Sequence, residues 1–132
     1  MEEEIQYLIS MGNDEQIVRL TYAVLDGKPR EQHVALLQQL GERYLTLAIT
    51  RESTIAGPNI ETALIRLDRG LLGIPPEAER PVSTINWYRA ALECFSTVIK
   101  QAPPTFDRTM TLRCRSLIWA LCREQFNRSV SL

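Results

Sequence analysis

Residues 107–126 read DRTMTLRCRSLIWALCREQF, and we predict that they form one helix with two apolar stripes. At about 100° per residue, one side collects Met110, Cys114, Leu117, Ile118 and Leu121. The nearly opposite side collects Leu112, Trp119 and Phe126. The first stripe is typical of a core face. A helix that is apolar on two sides is either central in its own domain or docked on another surface.

Arginines surround the second stripe, because Arg108, Arg115 and Arg123 lie within about 60° of it on the helical wheel. Aromatic residues and arginine dominate the energetics of protein interfaces. The pattern therefore predicts a partner-binding surface, which we call the aromatic-arginine face: Leu112, Trp119, Phe126, Arg108, Arg115 and Arg123. The competing interpretation is that Trp119 is a core residue, since Trp and Phe are usually largely buried.

Hydrophobic periodicity and capping residues predict an all-α fold of five or six helices, and no stretch alternates as a strand would. Gly12, Gly27 and Gly73 are expected to end helices, and Asn59 is expected to cap one. Gly41 lies inside the best-patterned helix of the N-terminal half and suggests a close helix crossing there. The predicted helices are Glu2 to Met11, Asp14 to Asp26, Pro29 to Thr50, Asn59 to Leu72, Ser83 to Lys100 and Asp107 to Phe126.

The chain of 132 residues and 15.1 kDa has the size of a single domain, and such a chain buries roughly 65–70% of its unfolded surface. We expect one helical bundle spanning residues 1–132. Residues 1–73 form its N-terminal helical half, and residues 83–126 form an antiparallel helical hairpin at the C-terminal end. The proline-rich connection from Ile74 to Pro81 divides these parts, and no internal repeat is present.

Composition favours a cytoplasmic protein in a reducing compartment. Mean hydropathy is -0.14, no apolar run reaches the roughly 18–20 residues of a membrane span, and the first residues are acidic where a signal peptide would be basic. The three cysteines, Cys94, Cys114 and Cys122, occupy apolar helical positions. They are expected to be buried free thiols and not a disulfide framework.

The charge pattern leaves nucleic-acid binding as the second choice. The formal net charge is -1, yet thirteen of the fifteen basic residues are arginines, which suit planar contacts to carboxylates, phosphates and aromatic rings. Codon bias also accounts for such a composition. An RNA- or single-strand-binding subunit of a ribonucleoprotein would use an exposed Trp119 for stacking. Its phosphate contacts would come from Arg108, Arg113, Arg115, Arg123 and Arg128.

Residues that commonly carry catalysis or hold metals are sparse. His33 is the only histidine and lies beside an apolar stripe, and the cysteines lack zinc-site spacing. The two glycines of Gly70-Leu71-Leu72-Gly73 stand at the wrong end of a helix for binding phosphate. We therefore expect no catalytic residues, no metal, no cofactor and no small-molecule substrate.

These observations favour a non-catalytic interaction or assembly protein that acts through the aromatic-arginine face. A homodimer or a complex with another protein is the expected assembly, without a membrane partner. Small size, few chemically suggestive clusters and a strong arginine bias also suit a viral or phage accessory protein.

Overall fold

In the computed structural model, residues 31–73 and 80–131 are described, and this part of the chain is all-helical and contains no strand. The helices predicted before residue 31, and the connection 74–79, lie outside it. The five helices of the described part are α1 (Glu31–Arg51), α2 (Ser53–Ala56), α3 (Ile60–Asp68), α4 (Val82–Gln101) and α5 (Thr109–Ser131).

Helix α4 lies between α1 and α5, and its packing against α1 is the most extensive helix pair of the described chain. The start of α1 meets the end of α4, since Val34 and Leu37 cluster with Val98 and Ala102. Helices α4 and α5 form the predicted antiparallel hairpin. The packing confirms a small all-α bundle, with α4 and not α5 at its centre.

The crossing of α1 and α4 depends on Gly41, as its position inside a helical pattern suggested. A Cβ atom at Gly41 would lie 2.7 Å from Cε1 of Phe95, whose ring is fully buried. Glycine costs a helix about 1 kcal/mol relative to alanine. Here that cost is offset because a residue without a side chain lets the backbone of α1 pack closely over the Phe95 ring of α4.

Helix α3 has the predicted beginning but an earlier end. The side chain of Asn59 accepts a 2.9 Å hydrogen bond from the backbone N–H of Thr62, which confirms the predicted cap. The helix ends at Asp68 and not at Leu72, because Gly70 adopts a left-handed backbone with φ of 66°. The backbone N–H groups of Gly70 and Leu71 then bond back into the last turn, a Schellman motif.

Between Thr50 and Asn59, where the sequence predicts no helix, the structure contains the single turn α2. Gly57 ends it with φ of 102°, and its N–H donates to the carbonyl of Ser53. The tight turn returns the chain towards α3 and leaves Glu52 buried between α1 and α2.

The main core lies where α1, α3, α4 and α5 meet. Four of the five residues expected on the core stripe of α5 are buried there, and Met110 in its first turn is exposed. The buried aromatic and aliphatic members of this core are Leu40, Tyr44, Leu45, Ile49, Leu64, Tyr88, Phe95, Leu117, Ile118, Leu121 and Phe126.

A buried ion pair closes one end of the bundle. Arg80 donates to both carboxylate oxygens of Glu52, from Nε at 2.9 Å and from Nη2 at 3.0 Å. The two side chains are 1% and 6% exposed. Tyr88 donates its hydroxyl to Oε1 of Glu52 at 2.7 Å, and Arg80 also donates to the backbone carbonyl of Leu121.

This network joins three helices through one guanidinium group. Glu52 follows α1, Tyr88 belongs to α4, and Leu121 belongs to α5. Burial alone would lower the pKa of Arg80, but the hydrogen bond and negative charge of Glu52 raise it, so the guanidinium stays protonated. Burial, reinforced by the same carboxylate, raises the pKa of Tyr88 and keeps its phenol a donor.

No helix among the described residues combines the length and apolar character that crossing a bilayer requires.

We predict that Gly41→Ala destabilises the fold by about 1–2 kcal/mol, because overpacking against Phe95 outweighs the gain in helix propensity. Urea unfolding followed by circular dichroism measures this change. Adding Phe95→Leu should make the double variant less destabilised than the sum of the two single variants. A Gly41→Ala protein as stable as the wild type would contradict the close crossing.

We predict that Arg80→Met costs about 3–5 kcal/mol, since it leaves the Glu52 carboxylate buried without its partner. Replacing both residues, with Glu52→Leu added to Arg80→Met, should recover most of this loss because no buried charge then remains. Measuring the free energies of unfolding of the single and double variants tests this prediction. A double variant as unstable as the single one would show that packing, and not the unpaired charge, causes the loss.

Candidate functional site

The structure separates the apolar members of the aromatic-arginine face. Trp119 is 38% exposed and Leu112 is 42% exposed, whereas Phe126 is only 6% exposed and belongs to the main core. Leu112 and Trp119 are seven residues apart, which places them about 10 Å apart along one side of α5. The outer surface of this helix therefore presents two large apolar side chains to solvent.

Trp119 is supported from below by Phe126. Their ring centroids lie 5.4 Å apart with an interplanar angle of 89°, an edge-to-face pair. The guanidinium carbon of Arg89, on α4, lies 5.6 Å from the centroid of the Phe126 ring. Such aromatic pairs contribute about 0.5–1.5 kcal/mol beyond area burial, so the indole is anchored on the hairpin while a large part of it stays accessible.

Arg108 has a different environment from the other predicted arginines. Its guanidinium donates to the carbonyl oxygens of Ile99, Pro103, Phe106 and Ala102, the first three at 3.3, 3.0 and 3.2 Å. These carbonyls lie at the end of α4 and in the following turn, where helix carbonyls lack partners. A cation there also complements the helix dipole. Arg108 thus closes the turn of the hairpin.

Arg115 and Arg123 remain at the surface beside Trp119. Arg123 is exposed and Arg115 is partly exposed. Within the residues that the structure describes, neither forms an ion pair. Arg113, by contrast, contacts Asp68 of α3 at 2.7 Å in a solvent-exposed pair, which contributes at most about 1 kcal/mol.

Leu112, Arg115, Trp119 and Arg123 therefore make up the candidate site, which we call the outer face of α5. Residues 108–128 hold five arginines and one glutamate, so this part of the molecule is electropositive although the whole chain is not. On the neighbouring α4, Glu93 is an exposed acidic residue and Arg89 an exposed basic one. The site combines apolar surface with fixed positive charge.

The three cysteines are free and buried, as predicted. Burial raises the pKa of each thiol to about 12, so the reactive thiolate is scarce at neutral pH. His33, the only histidine of the sequence, has a side chain that lies outside the described set. Among the described residues no cluster of three metal-ligating side chains is found.

Two features that matter here carry little signal in the sequence. Arg89 is a polar residue on the exposed side of α4, and only the packing of α4 on α5 places it over Phe126. Glu52 and Arg80 are 28 positions apart in segments read as irregular, and no periodicity connects them. The only indication in the sequence was that Glu52 and Arg80 each stand within three residues of the end of a predicted helix.

A scan with family models, a search of curated proteins and a search of solved structures each returned no match to this chain.

We predict that the protein loses stability as the pH rises from about 9 towards 12. The thiols ionise near pH 9.0 when unfolded but only near pH 12 when folded, so above pH 9 the unfolded chain binds fewer protons and is favoured. Urea unfolding at intervals across this range measures the slope. The Cys94→Ala variant should lose less stability across this pH range, whatever the effect of the substitution on stability at neutral pH. A wild-type stability independent of alkaline pH would contradict the buried thiols.

Proposed function

We propose that the chain is a non-catalytic interaction or assembly protein that binds another protein through the outer face of α5. The observation that carries this proposal is the exposure of Trp119 and Leu112 on one side of a helix whose other side is core. Large aromatic side chains are costly to leave in water, and with arginine they are enriched at the centres of interfaces.

The rigidity of the site supports this function. Trp119 projects from a helix, not from a loop, and its ring rests on the buried Phe126. Anchors held in this way lose little conformational entropy when a partner binds. The buried ion pair of Arg80 and Glu52 holds the same helix to α1 and α4, so the surface is presented in one orientation.

RNA binding is the second candidate, because a partly exposed indole beside Arg115 and Arg123 offers stacking together with phosphate contacts. Two of the arginines expected to contact phosphates have other roles. Arg108 donates hydrogen bonds to backbone carbonyls, and Arg113 forms an ion pair with Asp68. Fewer available cations mean weaker binding to a polyanion, which favours the protein-binding proposal.

We also propose a reducing, cytoplasmic location, supported by three free and buried thiols in the described chain.

We predict that Trp119→Ala stays folded but loses its protein partner. The side chain is too exposed for the loss of about 3–5 kcal/mol that truncating a buried tryptophan brings; we expect about 1–2 kcal/mol from the contact with Phe126. A binding protein recovered with the immobilised chain would be purified and its affinity measured by calorimetry. At a central interface tryptophan, the variant should bind about 30-fold more weakly.

Leu71→Ala is the matched control, because Leu71 is an exposed apolar residue that follows α3 and does not belong to the outer face of α5. It should keep the wild-type affinity. Equal affinity of the Trp119→Ala and wild-type proteins for that partner would reject the outer face of α5 as the binding surface. Loss of RNA binding, in place of protein binding, would support the second candidate.

A further inference from the structure

We infer that the partner of the outer face of α5 is an acidic amphipathic helix of another protein. This inference rests on the proposed function and adds the chemistry of the partner to it. It is drawn from the spacing of charges around Trp119, from their lack of ion-pair partners in the described chain, and from what a second copy of the chain would bring to the same surface.

The apolar part of the face fits a helix. Leu112 and Trp119 lie on one side of α5 at a spacing of seven residues. This is the sequence repeat that keeps two packed helices in contact. The surface between them carries the small residue Ser116, and the small residue Ala120 directly follows Trp119. A partner helix with an apolar stripe at the same repeat would cover both anchors at once.

The charged part of the face fits carboxylates. Arg115 and Arg123 lie four residues before and four residues after Trp119, so positive charge borders the indole on both sides along the helix. A guanidinium group pairs with a carboxylate through two parallel hydrogen bonds, which fixes register as well as adding affinity. Glutamates flanking the partner's apolar stripe would meet both arginines.

A second copy of the chain fits this surface poorly. In an antiparallel pairing centred on Trp119, Arg115 of one copy would oppose Arg123 of the other, because the two positions are equidistant from the centre. In a parallel pairing each arginine would oppose its own equivalent. Like charges facing each other across an interface disfavour association, so the electrostatics select an acidic partner over a dimer.

The test uses the whole chain and three fluorescein-labelled probes. The first is an amphipathic peptide of about 20 residues with a leucine stripe flanked by glutamates, long enough to form helix on binding. The second has lysine in place of every glutamate, and the third is an oligouridine of about 10 nucleotides. Fluorescence anisotropy gives the affinities at about 0.05 and 0.5 M salt, which span weak and strong screening.

We expect the glutamate peptide to bind at least about tenfold more tightly than the lysine peptide at low salt, and the preference to shrink at high salt. The charge-reversed protein, with Arg115→Glu and Arg123→Glu, should prefer the lysine peptide. The Trp119→Ala variant should bind both peptides more weakly than the wild type. Circular dichroism checks that the variants keep the helical content of the wild type.

If the wild type binds the two peptides equally and the Trp119→Ala variant binds neither, the acidic partner is overturned. The interaction function then stays in place. No binding of the glutamate peptide, or tight binding of oligouridine alone, would also overturn it. Light scattering at the same concentrations tests a second copy as the occupant: a wild-type dimer that Trp119→Ala abolishes would assign the face to a second copy and reject the inference.

Discussion

The buried ion pair between Arg80 and Glu52 is the constraint on which the described fold depends. Burying two charges costs several kcal/mol per ion unless every hydrogen-bonding group is matched. Here the guanidinium reaches both carboxylate oxygens and a carbonyl of α5, and Tyr88 supplies a further donor to the carboxylate. Removing either charge would leave the other unpaired in the interior, so the pair fixes how the end of α1, the start of α4 and the middle of α5 meet.

That fixed meeting point holds α5 with one side buried and the other exposed. One side of the helix supplies Leu117, Ile118 and Leu121 to the core, where Leu121 also accepts from Arg80 through its backbone carbonyl. The other side carries Trp119 at the surface. Because the core side and the buried network hold the helix, the outer side is free to vary in chemistry without loss of the fold. A helix used in this way suits recognition, where a rigid surface limits the entropy lost on binding.

The sequence predicted those features that depend on local pattern. Helices α1, α4 and α5 follow their apolar periodicity, and Asn59 caps α3 through its own side chain. Gly41 marks a crossing so close that a Cβ atom there would displace the Phe95 ring. The hairpin of α4 and α5 follows from the short turn between two well-patterned helices. Each of these is decided within a few residues along the chain or by a stripe that a helical wheel displays.

Features that depend on contacts between distant segments were not predictable in this way. The network of Glu52 and Arg80 joins two segments without periodicity, and its formation is decided only when three helices meet. Phe126 and Trp119 lie close together on the wheel, yet only Phe126 is buried, with Arg89 of α4 over its ring.

The same limit on prediction from the sequence applies to individual arginines and glycines. Arg108 differs from Arg115 because the carbonyls at the end of α4 lie within its reach. Gly70, not Gly73, ends α3 because it is the glycine that takes the left-handed backbone. In both cases residues of one type at neighbouring positions are distinguished by geometry that arises only in the folded chain.

The most direct test of the outer face of α5 is collisional quenching of Trp119 in a Trp87→Phe protein, where Trp119 is the only tryptophan. Iodide and caesium ions report access and local charge together, because an electropositive surface concentrates the anion and repels the cation. We predict efficient quenching by iodide and much weaker quenching by caesium, with the difference reduced at high salt. A blue-shifted emission that neither ion quenches would place Trp119 in a covered core and contradict its exposure on an electropositive face.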